Sequence, residues 1–188
     1  LDLIIVATST PDYLVPSVAS MVQDQIGAGH AAAFSLRAGC TGWVYALVTA
    51  CQFIQTGSYR NALVIGTEHL SMGIDWTDRN TCVLFGDGSG AVVLEASDQP
   101  TGLLSFQLGS DGSDYDALIY PGCGGVHPAS QEVLDKRLHY LQMDGQRVFK
   151  FASRVLADSV AQVVSDAGLT PDDITLIIPH QANDRIIE

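Results

Sequence analysis

The chain opens with a run of apolar residues, Leu3-Ile-Ile-Val-Ala7, too continuous for a half-exposed strand and fitting one buried on both faces. Thr8–Asp12 then leads to a helix predicted at about 16–26, opened by Pro16-Ser17 and ended by Gly27. A second apolar strand, Ala31–Leu36, runs into the small-residue turn Ala38-Gly39-Cys40-Thr41-Gly42. Val44, Leu47, Val48, Cys51 and Ile54 recur at spacings of three and four, which predicts a helix directly after that turn, with Gly57 placed to stop it. Ala62–Ile65 reads as a strand ending in Gly66-Thr67-Glu68. After a polar stretch over 69–80, a strand is predicted at 81–85, a turn at Gly86-Asp-Gly-Ser-Gly90 and a strand at 91–95.

Ser97-Asp-Gln-Pro100 has the composition of a boundary, which suggests a first part over 1–98 and a second over 99–188. Gly102–Leu108 reads as a further strand. Periodicity is weak from Gly109 to Gly145, and so long a loop in a compact chain is usually a binding segment. A long helix is predicted from about 146 to 167, ended by Gly168 and Pro171. A strand at 175–178 follows, then Pro179-His-Gln-Ala-Asn183 and the start of another helix. Strands alternating with helices predict an α/β fold with a mostly parallel sheet.

Composition supports a packed α/β chain. Of its 188 residues 47% are hydrophobic and only 16% charged, with 18 glycines. The net charge of −12 argues against nucleic acid as the main partner. It leaves room for an acidic partner that meets a local basic patch. No apolar run reaches the ~18 residues of a membrane span, and the N-terminal segment lacks the basic start of a signal peptide. The sequence begins abruptly, as a piece of something longer would.

Cys40 is the residue where chemistry is most concentrated. A thiol at a strand-to-helix turn lies over a helix N-terminus, whose unpaired N–H groups and positive dipole end favour thiolate. A nucleophile and a buried structural cysteine both fit this residue on its own. Cys51 and Cys82 fall on apolar patterns and read as core, and Cys123 as a loop thiol. The four cysteines show neither a C-x-x-C pair nor zinc spacing, so reduced thiols in the cytoplasm are expected. His180 follows a predicted strand and precedes a helix, where α/β sheets place ligands. Capping would explain it alone; alongside Cys40 at the end of another strand it becomes a candidate partner. Gly86–Gly90 lies between strands rather than opening a helix, which favours a structural turn over a phosphate loop. Asp111-Gly-Ser-Asp114-Tyr-Asp116 lacks the alternating carboxylates of a calcium loop, and no metal is expected.

Five of the nine basic residues, Lys136, Arg137, Arg147, Lys150 and Arg154, fall in a stretch whose only acid is Asp144. Arg147, Lys150 and Arg154 share a helix face, which fits either an ordinary solvated face or a docking site for something anionic.

Four motifs in order, Ala38-Gly-Cys40-Thr-Gly42, Phe85-Gly-Asp-Gly-Ser-Gly-Ala91, Met143-Asp-Gly-Gln-Arg-Val-Phe-Lys150 and Pro179-His-Gln-Ala-Asn-Asp-Arg185, closely resemble the β-ketoacyl-[acyl-carrier-protein] synthase III family. These are the initiating condensing enzymes of type II fatty acid synthesis. The resemblance implies a thiolase fold, with αβαβα layers built from two similar halves, and a homodimer. Residues 1–98 would be the end of the N-terminal half and 99–188 the start of the C-terminal half. Cys40 would accept the acyl group and His180 would belong to a Cys-His-Asn triad. Arg79 would lie by the adenine of coenzyme A, and Gln146, Phe149 and Asn183 would line the pantetheine channel. Leu70 and Phe85 would line the acyl pocket, and Val15 would reach into the partner subunit's pocket. Arg147, Lys150, Arg154 and Arg185 would dock acyl carrier protein. Acyl-coenzyme A and malonyl-acyl carrier protein would be the substrates, with no cofactor beyond the coenzyme A thioester and a cytoplasmic or, in a plant, plastid-stroma location.

In the family the catalytic asparagine lies downstream of Glu188, and the tryptophan and arginine that clasp coenzyme A lie upstream of Leu1. The chain is therefore expected to be the middle of a condensing enzyme, inactive alone. Two alternatives use the same thiol. One is a thiolase-fold acyltransferase of secondary metabolism. The other is a cysteine α/β-hydrolase, with Ala38 and Gly42 flanking its nucleophile elbow but only Asp172 or Asp173, misplaced in chain order, as a third member.

Overall fold

The computed structural model describes residues 1–183 and residue 187. They form two compact units: residues 1–69 with 86–106, and residues 70–85 with 107 onward.

The first unit is built on β1 (Leu3–Ala7), all of whose residues are buried. The chain continues through α1 (Val18–Gln25), β2 (Ala32–Leu36), α2 (Gly42–Gln55), β3 (Asn61–His69) and β4 (Asp87–Glu95). The strands form one sheet in the order β2-β1-β3-β4, with β1 parallel to β2 and β3, and β4 antiparallel to β3. As the continuous apolar run predicts, β1 is covered on both faces. Leu3, Ile5 and Ala7 pack with Ala46 and Ala50 of α2, and Ile4 and Val6 with Ala19 of α1. The alanines let both helices approach closely. Burial of Leu3, Ile4, Ile5, Val6 and Val64 stabilises the unit by about 1.5–3 kcal/mol for each side chain.

The helix ends follow their sequence signals. Ser17 caps α1 through the Ser20 N–H, and Gly27 and Gly57 take left-handed φ values of 69° and 75° just past α1 and α2.

Two expectations fail around residues 81–90. Thr81–Phe85 is a run of turns rather than a strand. Asp78 accepts backbone N–H bonds from Thr81 and Cys82 at its carbonyl (3.3 and 3.0 Å), while its carboxylate takes the Asn80 N–H (3.0 Å) and the Thr81 hydroxyl (2.9 Å). This local bonding outcompetes the β-propensity of the side chains. The adjoining glycine-rich segment is not a turn between strands: residues 87–90 already belong to β4, with Gly90 opposite Gly66 and Asp87 opposite His69. Pairing along the whole of β3 overrides the turn propensity of glycine.

The second unit holds β5 (Leu118–Ile119), α3 (Gln131–Asp135), β6 (Gln142–Met143) and α4 (Gly145–Asp166). β5 and β6 pair antiparallel, so the weakly periodic 109–145 stretch is tied together in its middle. α4 starts where Asp144 accepts the N–H groups of Gln146 and Arg147 (3.1 and 3.2 Å) and ends before Gly168, at φ 70°. The predicted strands at 102–108 and 175–178 have no ladder among the described residues. Leu104, Phe106, Leu176 and Ile178 are exposed there, so the apolar composition is present and the pairing that defines a strand is not. His180 thus follows a segment that lies in no strand among the described residues.

Cys51 and Cys82 are half-buried rather than fully in the core.

Candidate active site

The nucleophile turn is fixed by three glycines. Gly39 takes φ 56°, in the left-handed region that favours glycine, and lets the chain leave β2 and enter a 3-10 turn at 39–41. The Thr41 hydroxyl donates to the Ala38 carbonyl (2.8 Å), closing that turn ahead of α2. At Gly42 a Cβ would stand 3.2 Å from the Ala7 Cβ, so α2 begins tight against the end of β1. At Gly66 a Cβ would stand 3.0 Å from Cδ1 of Trp43, the second residue of α2. The end of β1 and Gly66 of β3 thereby pack against the start of α2, directly after Cys40's turn.

Cys40 is exposed by its surface area, yet the thiol is largely enclosed by neighbouring atoms. That enclosure governs its ionisation. Burial pushes the thiol pKa up, the carboxylate of Glu68 pushes it further, and a backbone hydrogen bond offsets only part. Burial and the Glu68 carboxylate thus act in the direction opposite to the one expected of the helix N-terminus.

Glu68 is the site residue that sequence reasoning missed. Its two carboxylate oxygens accept the Ser9 N–H (2.8 Å) and the Thr10 hydroxyl (2.7 Å), and Thr10 Oγ1 in turn accepts the His69 N–H (2.7 Å). Its position at the carboxyl end of a central strand was the available signal.

Val15, in the same unit, is exposed and precedes a cis proline. The other candidate residues lie in the second unit, His180 among them. Leu70 begins a 3-10 turn at 70–73 and is half-buried, as is Phe85. Arg79 is exposed within the turns held by Asp75 and Asp78. Those turns are tied down by Arg137, which donates through Nε (3.2 Å) and Nη2 (2.5 Å) to Asp75 while lying 5.0 Å from the Tyr140 ring centre. The hydrogen bond from Arg137 holds the Asp75 carboxyl at about 2.

α4 brings Gln146, Arg147, Phe149, Lys150 and Arg154 together. Arg147 Nη2 donates to Asp114 (2.5 Å) and Asp116 (2.7 Å), which raises its own pKa and lowers that of Asp116. Its charge is thus committed within the unit. Lys150 and Arg154 are exposed and form no ion pair among the described residues. His180 and Asn183 are exposed, and Arg185 lies outside the described residues. No group of three or more His, Cys, Asp or Glu among the described residues could hold a metal ion, and no helix there is long and apolar enough to cross a membrane.

A family model for 3-oxoacyl-[acyl-carrier-protein (ACP)] synthase III matches residues 34–112, the stretch that contains Cys40 and Glu68. The β-ketoacyl-[acyl-carrier-protein] synthase III of Caldanaerobacter subterraneus is 53% identical over all 188 residues. The chain is similar to this family along its whole length. The corresponding synthase of Desulfitobacterium hafniense is 50% identical, and the chain spans 57% of the length of each of these relatives. The crystal structure of the Thermus thermophilus synthase III superposes with a TM-score of 0.89 at 43% identity, covering the whole of this chain and 57% of that one. The fold is accordingly the α/β thiolase fold of condensing enzymes, which sets aside the hydrolase alternative.

Proposed function

We propose that the protein to which this chain belongs is the initiating condensing enzyme of type II fatty acid synthesis. The observation that carries this is Cys40 on a strand-turn-helix corner, within a chain about half identical to synthases III along its whole length. In the first step the Cys40 sulfur attacks the carbonyl of an acyl-coenzyme A, and coenzyme A leaves as its thiol with the proton. In the second, malonyl-acyl carrier protein loses carbon dioxide and the resulting carbanion attacks the Cys40 thioester. A β-ketoacyl-acyl carrier protein forms and Cys40 is released. His180, with the family's downstream asparagine, donates hydrogen bonds to the thioester oxygen where charge develops.

Arg79, Gln146, Phe149 and Asn183 bind coenzyme A and pantetheine, and Leu70 and Phe85 contact the acyl chain. Lys150, Arg154 and Arg185 meet the acidic carrier. The enzyme acts in the cytoplasm or a plastid as a homodimer, with Val15 entering the partner's pocket, and its two thiolase-like halves meet near residues 98 and 99. The reaction uses no metal or cofactor of its own.

Incubating the full-length protein with a short acyl-coenzyme A should place the acyl mass on the Cys40 peptide. His180→Ala should abolish malonyl decarboxylation. Acylation at Cys51, Cys82 or Cys123, or decarboxylation that survives in His180→Ala, defeats the assignment.

A further inference from the structure

We propose that Arg137 is a positioning residue for coenzyme A: it braces the turns over 75–80, so that Arg79 within them is held ready for the nucleotide end of the thioester. The inference rests on Arg79 binding coenzyme A, as proposed above, but the brace itself is a matter of geometry. Arg137 stands just past the cap of α3, where its N–H donates to the Leu134 carbonyl (3.0 Å) and the Leu138 N–H to the Val133 carbonyl (2.9 Å). Its φ is 56°, a helix-ending conformation that glycine takes without steric cost. An arginine in that conformation is the kind of backbone outlier that points to a use for the side chain. The use is visible. Nε and Nη2 donate to one Asp75 carboxylate oxygen (3.2 and 2.5 Å), Nη2 also donates to the Thr77 hydroxyl (3.2 Å), and the guanidinium lies 5.0 Å from the Tyr140 ring centre.

What Arg137 grips is the arch that carries Arg79. The other Asp75 carboxylate oxygen accepts the N–H and the hydroxyl of Thr77 (2.9 and 2.6 Å), and the Asp75 carbonyl accepts the Asp78 N–H (3.0 Å). Asp78 in turn holds Asn80 and Thr81, so Arg79 stands between two hydrogen-bonded turns. Ile74 and Thr81 are buried at the two feet of the arch, while Trp76 and Arg79 are exposed on it. One foot meets the Arg137 segment directly, because the Leu141 N–H donates to the Gly73 carbonyl (2.8 Å). Above the feet, among the described residues, the hydrogen bonds that reach 75–80 from beyond residue 82 come from Arg137. The neighbouring cation, Lys136, is paired with Glu132 (2.6 Å) and does not share the task. An exposed arch without this brace would have to be ordered as the ligand binds, and that ordering weakens affinity. Loss of Arg137 should therefore weaken capture of coenzyme A while leaving the reaction at Cys40 alone.

The test is the rate of Cys40 acylation in the full-length protein, followed by mass spectrometry at varied acyl-coenzyme A. A second series uses the acyl-pantetheine, which carries the same thioester without the nucleotide. In Arg137→Gln the half-saturating concentration of acyl-coenzyme A should rise severalfold with the limiting rate little changed, and acyl-pantetheine should react as it does with wild type. Arg79→Ala should raise the same concentration. Adding Arg137→Gln to Arg79→Ala should then raise it little further, because the brace acts through Arg79. An unchanged half-saturating concentration in Arg137→Gln, an equal loss with acyl-pantetheine, or full additivity with Arg79→Ala overturns the proposal. If Arg137→Gln does not fold, Arg137→Gly decides by the same comparison, since it relieves the left-handed backbone as it removes the side chain. Failure of the wild-type protein to take an acyl group from coenzyme A defeats the proposed function, and this inference with it. Normal wild-type acylation with no change in Arg137→Gln defeats only the role of Arg137.

Discussion

The rung that joins Gly66 to Gly90 offers a controlled test of how β3 fixes the nucleophile corner. Both residues are glycines on adjacent strands, directly opposite each other, and neither has a φ in the left-handed region. Their surroundings differ sharply. A methyl group at Gly66 would stand 3.0, 3.2 and 3.4 Å from Cδ1, Cβ and Cγ of Trp43, whereas one at Gly90 meets nothing within 4 Å among the described residues. Rotating the indole does not relieve Gly66→Ala, because the Trp43 Cβ is fixed by the backbone of α2. Helix and strand must separate by a few tenths of an ångström. Overpacking of this kind costs about 1–3 kcal/mol, and the reduced freedom of the unfolded chain offsets about 0.4–1 kcal/mol. The net loss should be about 1–2 kcal/mol, or a few degrees in Tm. Trp43 stands three residues after Cys40, so the same displacement should slow acylation of Cys40 severalfold, given that about 1 Å of misplacement can cost about a hundredfold. Gly90→Ala should be neutral within about 0.5 kcal/mol. Urea unfolding and acylation rates of the two variants check this. Equal costs at the two positions, or an unaffected Gly66→Ala, would refute the argument that β3 sets the position of α2 through Trp43.

Two further outcomes are expected. Asp75 has its pKa depressed to about 2 by Arg137, so the stability it contributes is present above the unfolded value of 3.8 and is lost as pH falls from there towards about 2. Thermal melts across that window should show the loss, and Asp75→Asn should flatten it; a wild-type curve with no decline there would contradict the clamp. On α4, Lys150→Glu should weaken use of malonyl-acyl carrier protein, most at low salt, while acylation from coenzyme A stays near normal. Arg147→Glu should instead destabilise the fold by leaving Asp114 and Asp116 unpaired, as thermal melts would show; loss of both substrates in Lys150→Glu would refute docking at that residue.

Helices and strands were legible wherever a local signal and a burial pattern agreed. β1 is a continuous apolar run, α1 has its serine cap, and Gly27, Gly57 and Gly168 each take the left-handed conformation that stops a helix. The misreadings at 81–90 have one cause. Side-chain propensity favours a strand for Thr81–Phe85 and a turn for 86–90, while Asp78's hydrogen bonds and the ladder with β3 impose the reverse. Cys40 was legible because a strand, small residues and a helical period adjoin it in sequence. The upward push on its pKa was not, because it comes first from burial by the folded corner and then from Glu68, 28 positions away and bonded to the β1 loop across 58 and 59 positions.

The basic face of α4 shows the same limit in electrostatic form. Spacing of three and four puts Arg147, Lys150 and Arg154 in one row, and a row of like charges on a chain of net charge −12 reads as a single surface. The partners that divide the row come from 31 and 33 positions earlier: Asp116 and Asp114 take Arg147, fastening the first turn of α4 to the β5 side of its unit. What is left to attract an anionic partner is the outer part of the row. A carrier protein steered there would feel Lys150 most, with Arg154 partly offset by the nearby Asp111 carboxylate, while Arg147 contributes by holding the helix on which they stand. Charge count along a helix therefore overstates its docking capacity by the cations that the fold has already neutralised, and the contrast between Lys150→Glu and Arg147→Glu measures that difference directly.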